Sequence, residues 1–171
     1  YLQKNNTIEI TVDNSRKDIT PISADFTFWG GIYRDVWLIT TSEQHFNLLN
    51  HGSDGIFIST PHVDEKEATI EIRSEITNDA TGMELERSTH KTGFRWFSFD
   101  GEKGFSLNGK PYKLRGVNRH QDQAPVGVAL DDEAHRRDIR LIKEMGCNFI
   151  RIAHYPQDDA LVEACDEMGL L

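Results

Sequence analysis

The sequence predicts a multidomain fold of β plus α/β, with strand-rich stretches over residues 1–100 and parallel βα units over residues 101–171. Three observations carry this. The last third reads strand, loop, helix, strand, loop, helix, with the helices marked by apolar spacing and capping residues. Its polar residues gather where the strands end, at Asn118-Arg119-His120-Gln121-Asp122 and at Arg151, His154 and Tyr155. The first part alternates with period two and breaks at Pro, Gly and Asn-Asp pairs instead.

Composition bounds the function. The 171 residues are 37% hydrophobic and 27% charged, as in ordinary globular proteins. A net charge of −9 disfavours nucleic acid as a partner, because such binding needs a basic face. No run approaches the ~18 apolar residues of a membrane span. Tyr1-Leu2-Gln3 reads as the inside of an element, so the compartment, cytoplasmic or periplasmic, is not legible. Cys147 and Cys165 belong to no CxxC or Cys/His cluster. That disfavours a zinc site, and both read as small buried apolar residues, with a disulfide as the alternative.

Residues 1–48 are β-like. Thr7–Val12 alternates after an Asn5-Asn6 turn, and Ile32–Thr40 is dense in β-branched and aromatic residues. Two strands cannot close a sandwich, so this reads as the C-terminal part of a larger β domain. Residues 49–100 hold strand candidates at Gly55–Ser59, Ala68–Ile76 and Gly93–Phe99, punctuated by Pro61 and Asn78-Asp79. A full sandwich takes about 100 residues and seven strands, so this domain is short. It is deleted internally or lacks residues; the sequence leaves both open.

In residues 101–171, Asn108-Gly109 marks a hairpin turn and Tyr112–Asn118 a strand. Asp131-Asp132-Glu133 starts a helix with acid at its positive end. Ile139, Leu141, Ile142 and Met145 share roughly 160° of that helix, a core-facing stripe. Gly146 stops it. Cys147–Ala153 is apolar on both faces apart from Asn148 and Arg151, like a parallel strand. Pro156 and Asp158 open a second helix with Leu161, Val162, Ala164, Cys165 and Met168 on one side. Gly169 ends it, and Leu170-Leu171 begin a third strand.

The motifs NGKPYKLRGVNRHQD, IKEMG.N.IR.AHYPQD and CDEMGL, with SADFTFWGGIYRDVWLI upstream, resemble glycoside hydrolase family 2, its β-galactosidase branch in particular. The resemblance implies the C-terminal part of a jelly-roll sugar-binding domain (1–48), an incomplete immunoglobulin-like β-sandwich (49–100) and the first two βα units of a TIM (β/α)8 barrel (101–171). A complete barrel takes about 250 residues, so the chain reads as a fragment. It implies a retaining enzyme that hydrolyses terminal β-D-galactose residues of a galactoside. No organic cofactor is implied; Na⁺ and Mg²⁺ are implied for the full enzyme, and there is room for a homo-oligomer.

Retaining glycosidases need two carboxyls ~5 Å apart. In the family both come from later barrel strands. Glu144, Glu163 and Glu167 fall on outer helices and read as solvated surface. The resemblance makes His120 and His154 contacts to sugar hydroxyls, against the alternative of histidines capping strand ends. It makes Asp25 a ligand of the sugar and of a monovalent cation, reaching from the first domain into the barrel mouth. Arg151, expected buried, orients a carboxylate or forms an interior ion pair. Asn118 and Arg119 support the site or the scaffold equally well. Asp122 reads as loop polarity, Trp29 as sugar stacking or interface, and Arg34-Asp35 as a structural link. His45, His51, His62, His90 and His135 read as surface. The alternatives are another family 2 enzyme, a β-glucuronidase or β-mannosidase, and a non-catalytic carbohydrate-binding or structural remnant. An aspartate at position 25 would repel a uronate, which favours a neutral sugar.

Overall fold

Residues 5–15, 27–77 and 88–171 are described in the computed structural model. They divide into two compact units: Trp37–Leu114, and Tyr1–Val36 with Arg115–Leu171. Thr7–Val12 and Ile32–Thr40 were expected as strands, but neither forms a ladder with any other described residue. Their alternation is genuine, yet a strand exists only against a partner's N–H and C=O groups. Ile10, Ile32 and Leu38 stay exposed accordingly.

The unit Trp37–Leu114 is built of small antiparallel sheets. Strand β1 (His45–Phe46) pairs with β4 (Ile76–Thr77), and β2 (Ile56–Val63) pairs with β3 (Ala68–Ser74). Pro61 does not end β2, as expected from sequence. It lies inside it, where the register shifts between Ser59 and His62. A bulge tolerates the missing N–H that a regular ladder would require. Strands β5 (Phe97–Asp100), β6 (Gly104–Leu107) and β7 (Lys110–Pro111) form a meander. The β6–β7 turn is Asn108-Gly109, with φ of 49° and 73°. Two positive φ angles are what a two-residue hairpin turn of this hand demands, and Asn-Gly tolerates them best.

The other unit holds the parallel strands. Strand β8 is Gly116–Arg119, the later part of the predicted Tyr112–Asn118. It pairs in parallel with β9 (Phe149–Ile152), Asn118 opposite Arg151 and Arg119 opposite Ile152. Helix α1 (Asp132–Glu144) joins them. Its N-cap Asp131 accepts the Ala134 N–H at 2.8 Å, and the N–H groups of Gly146 and Cys147 close its end on the carbonyls of Lys143 and Ile142. Helix α2 (Asp159–Met168) is capped by the Asp158 carboxylate and ends at Gly169 in the left-handed conformation. Beyond it, Leu171 N donates to Asn148 O and Leu171 O accepts from Ile150 N, the bonds of a parallel neighbour on β9.

The core lies between this sheet and the two helices: Ile139, Ile142, Cys147, Ile150, Leu161, Ala164, Cys165 and Leu170, with Val117 and Met168 at its edge. Both cysteines are free and buried, and burial raises the Cys165 thiol. The expected α1 stripe is corrected. Leu141 and Met145 are exposed, and the buried face runs through His135, Ile139 and Ile142. These are spaced four and three apart, so they align on one stripe, while Leu141 falls on the far flank.

His135 is therefore not a surface residue but only 2% exposed. Its Nδ1 sits 3.3 Å from a nitrogen of Arg119, which is 5% exposed and bonds Asp138 at 2.7 Å and Gln157 at 3.4 Å. Burial, and next the Arg119 charge, hold the His135 imidazole below its ordinary range; Asp158, Asp138 and Asp132 pull the other way. A depressed folded value means that folding favours the neutral ring. Its contribution is complete above the unfolded value of about 6.5 and is lost as pH falls from there through the folded value. Thermal melting of the full-length protein at pH 7.5 and pH 5 should show an acid loss that His135→Asn reduces, because Asn keeps an acceptor for Arg119 and cannot be protonated. An unchanged acid loss in the variant would show that other groups govern it.

Candidate active site

In-register parallel pairing fixes which residues share a face. Val117 and Arg119 of β8 lie on the helix side with Ile150 of β9. Asn118 and Arg151 are opposite each other and exposed on the other side. Arg151 is thus not the buried guanidinium that its apolar neighbours suggested. The alternation places it away from the helices, and the buried arginine is Arg119.

Just past the strand ends, the rings of His120 and His154 meet edge to face with centroids 5.5 Å apart. Both are exposed, and the Ala153–His154 peptide is cis. The Tyr155 ring stands 6.1 Å from that of His120. Its hydroxyl lies 3.5 Å from His120 Nδ1 and accepts the Gln121 N–H at 3.1 Å. Arg151 Nη2 lies 3.5 Å from His154 Nδ1. Four of the polar residues singled out at the strand ends, Arg151, His120, His154 and Tyr155, thus form one connected group. Asp122 is exposed in the loop. Asp25 lies outside the described residues.

The loop after β8 is tied to α1. Gln123 Nε2 donates to both Asp138 oxygens at 3.0 Å, and Arg137 donates to Gln123 Oε1 at 2.7 Å. Gln123 and Gly127 exchange backbone bonds across a tight bridge. The Trp29 indole covers Gly127, so the upstream aromatic segment reaches this loop, and Arg34 donates to the Pro156 carbonyl. Sequence reasoning missed Gln121, which is 1% exposed and whose Oε1 has no hydrogen-bond partner among the described residues. It read instead as one polar residue among several in a loop.

Two carboxylates of α2 are engaged elsewhere. Glu163 and Glu167 each bond Arg136 of α1 at 2.9 Å, on the outer surface. The donor set near the histidines does not by itself fit Na⁺ or Mg²⁺. Those cations need several oxygens, and among the described residues Arg151, the two imidazoles and the single Tyr155 hydroxyl do not supply them. Elsewhere among the described residues, His62, Asp64 and Glu67 cluster on the β2–β3 turn; all three are exposed, and the Asp64 carboxylate accepts N–H bonds from Lys66 and Glu67.

With this geometry in place, the sequence model of glycosyl hydrolases family 2, TIM barrel domain, matches residues 100–171. A crystal structure of Bacteroides uniformis β-glucuronidase superposes with a TM-score of 0.88 at 48% identity, covering 94% of this chain and 27% of that one. A β-glucuronidase of Bacteroides fragilis is 28% identical over all of this chain and 34% of its own length. A β-galactosidase of Thermoanaerobacter pseudethanolicus is 31% identical, covering 97% of this chain and 30% of that protein. The chain thus spans about a third or less of these relatives. The B. fragilis alignment extends over 235 positions against 171 residues here, so that relative carries segments inside the matched span that this chain lacks.

A Cβ at Gly127 would stand 2.8 Å from the Trp29 ring, at a φ of +62°. Gly127→Ala should cost about 1–3 kcal/mol in urea unfolding, from overpacking and the positive φ together. Adding Trp29→Ala should remove the packing part and leave the backbone part. Equal costs of Gly127→Ala in both backgrounds would mean that the indole does not constrain the loop.

Proposed function

This chain belongs to glycoside hydrolase family 2, and on that premise we propose that it supplies part of the sugar-binding mouth of a retaining glycosidase. The observation that carries this is the His120–His154 pair, 5.5 Å between centroids at the C-terminal ends of adjacent parallel strands. That end of a TIM barrel is where its chemistry sits. Neutral imidazoles can donate to and accept from sugar hydroxyls, and such bonds strengthen as the ring flattens towards an oxocarbenium ion. The acid/base and nucleophile carboxyls are assigned to residues outside this chain, since Glu163 and Glu167 are engaged with Arg136.

A β-glucuronide is the leading substrate. Support comes from 48% identity to a B. uniformis β-glucuronidase, against 31% to a β-galactosidase at similar coverage of this chain. The second reading is a β-galactoside. It is favoured by Asp25, whose charge would oppose a uronate if it reaches the mouth, and which we retain as the sugar and monovalent-cation ligand of that reading.

The full-length protein should be assayed with p-nitrophenyl β-glucuronide and p-nitrophenyl β-galactoside. We expect kcat/KM at least about tenfold higher for the glucuronide, a difference of about 1.4 kcal/mol at the transition state. A ratio reversed in favour of the galactoside selects the second reading, and no turnover of either overturns both. His120→Ala and His154→Ala should each lower kcat more than they raise KM, as expected for contacts that tighten at the transition state. The 171-residue chain alone should give no turnover above a blank.

A further inference from the structure

Arg119 is the hub beneath the strand ends, and each part of its guanidinium meets an acceptor. Nε and Nη2 donate to Asp138, Nη1 donates to Gln157 Oε1 at 3.4 Å, and Nη2 lies 3.3 Å from His135 Nδ1. A guanidinium only donates, so the last contact exists only while Nδ1 keeps its lone pair. A proton on Nδ1 would set two donors and two positive charges against each other where His135 is 2% and Arg119 5% exposed. The charged groups facing His135 are Arg119 from β8, Asp132 and Asp138 from its own helix, and Asp158 at the start of α2. Asp132 is exposed, and Asp158 already caps α2 through the Ala160 N–H. Asp138 stands three residues along α1, on the His135 side of the helix. Its carboxylate holds both Arg119 and Gln123. An imidazolium at position 135 therefore competes with Arg119 for Asp138.

We propose that His135 is the proton sensor of a latch: its neutral ring helps to hold Arg119, and its protonation frees Arg119 and loosens the loops beyond β8 and β9 while the fold persists. Both loops depend on Arg119. It directly precedes His120, and it bonds Gln157, whose Nε2 donates to the Tyr155 carbonyl at 3.1 Å. The Gln121 N–H donates to the Tyr155 hydroxyl at 3.1 Å, so it crosses between the two loops and reports on both. Burial, and next Arg119, hold the latched ring below its ordinary range. The latch is therefore complete above the ordinary imidazole value of about 6.5 and weakens as pH falls from there through the lowered value. That the loosened loops form a sugar site rests on the glycosidase reading; the latch itself does not.

The test is amide hydrogen exchange of the full-length protein at pH 7.5 and pH 5, read by mass spectrometry and corrected for the intrinsic effect of pH on exchange. In wild type, protection of residues 118–123 should fall roughly tenfold at pH 5, while β2 and β3 keep theirs. In His135→Asn, which keeps an acceptor for Arg119 and takes up no proton, protection of residues 118–123 should be equal at the two pH values. Unchanged protection in wild type overturns the proposal, as does an equal loss in His135→Asn. A loss shared by β2 and β3 is unfolding of the whole protein and overturns it too. Should His135→Asn fail to fold, His135→Gln takes its place. On the glycosidase reading, kcat/KM for the p-nitrophenyl glycoside that is turned over should fall less from pH 7 to pH 5 in the variant than in wild type. Equal falls overturn the effect of the latch on the site. Loss of protection at pH 5 in a protein that turns over neither glycoside supports the latch while the sugar reading fails.

Discussion

A guanidinium taken out of water must meet a carboxylate, and the one that meets Arg119 sits on a helix. Asp138 of α1 bonds it at 2.7 Å and 3.2 Å, and the same carboxylate receives Gln123 from the loop beyond β8. One acidic side chain therefore fixes both the end of the strand and the path of the chain leaving it. Breaking a buried pair by removing one partner costs about 3–5 kcal/mol, and the partial exposure of Asp138 puts this pair towards the lower end. His120 is the next residue along. Its place beside His154 depends on an ion pair on the opposite face of the sheet.

The β8–β9 ladder divides labour by parity. Because a strand repeats every two residues, Arg119 turned to the helices requires Asn118 to turn away from them. The register then carries Arg151 to the face of Asn118. A slip of one residue would send Arg119 to the open face and bury Asn118, leaving Asp138 without its cation. The hydrophobic pattern of Val117 and Ile150 and the Arg119–Asp138 pair both select the same register. Such agreement between independent constraints is what makes a parallel pair of only four residues per strand specific.

The α/β part was legible because its signals are local. Asp131 and Asp158 cap helices through their own turns, and Gly146 and Gly169 end them; neither needs a distant partner to be read. His135 and Arg119 were illegible for the opposite reason. Nothing within a turn of His135 distinguishes it from a surface histidine; it is buried by alignment with Ile139 and Ile142, and Arg119, distant in sequence, completes it. Arg151 was misread because apolar neighbours mark a buried strand without saying which of its faces is covered. In the β-rich part, alternation at Thr7–Val12 and Ile32–Thr40 is present without a described ladder. The alignment with the B. fragilis relative exceeds this chain by tens of positions, so that relative carries residues inside the matched span that have no counterpart here. The pairing of His120 with His154 was legible, since two adjacent strand ends must lie close; the role of Tyr155 between His120 and Gln121 was not.

The side chains described at the strand ends differ in what they can offer a ligand. Arg151 can only donate, and Tyr155 spends one lone pair on the Gln121 N–H. One imidazole faces Arg151 and the other faces Tyr155. A polyhydroxylated ligand carries donors as well as acceptors, so a site for one has to supply both. Left unpaired in a closed site, each of its donors would cost about 1–3 kcal/mol. Arg151 answers only the acceptors of such a ligand, whereas a neutral imidazole and a phenol hydroxyl can also accept. A family 2 glycosidase needs carboxylates for bond cleavage in any case. Those carboxylates are hydrogen-bond acceptors as well, so in a retaining glycosidase the groups that cleave the bond also offer acceptors to the sugar.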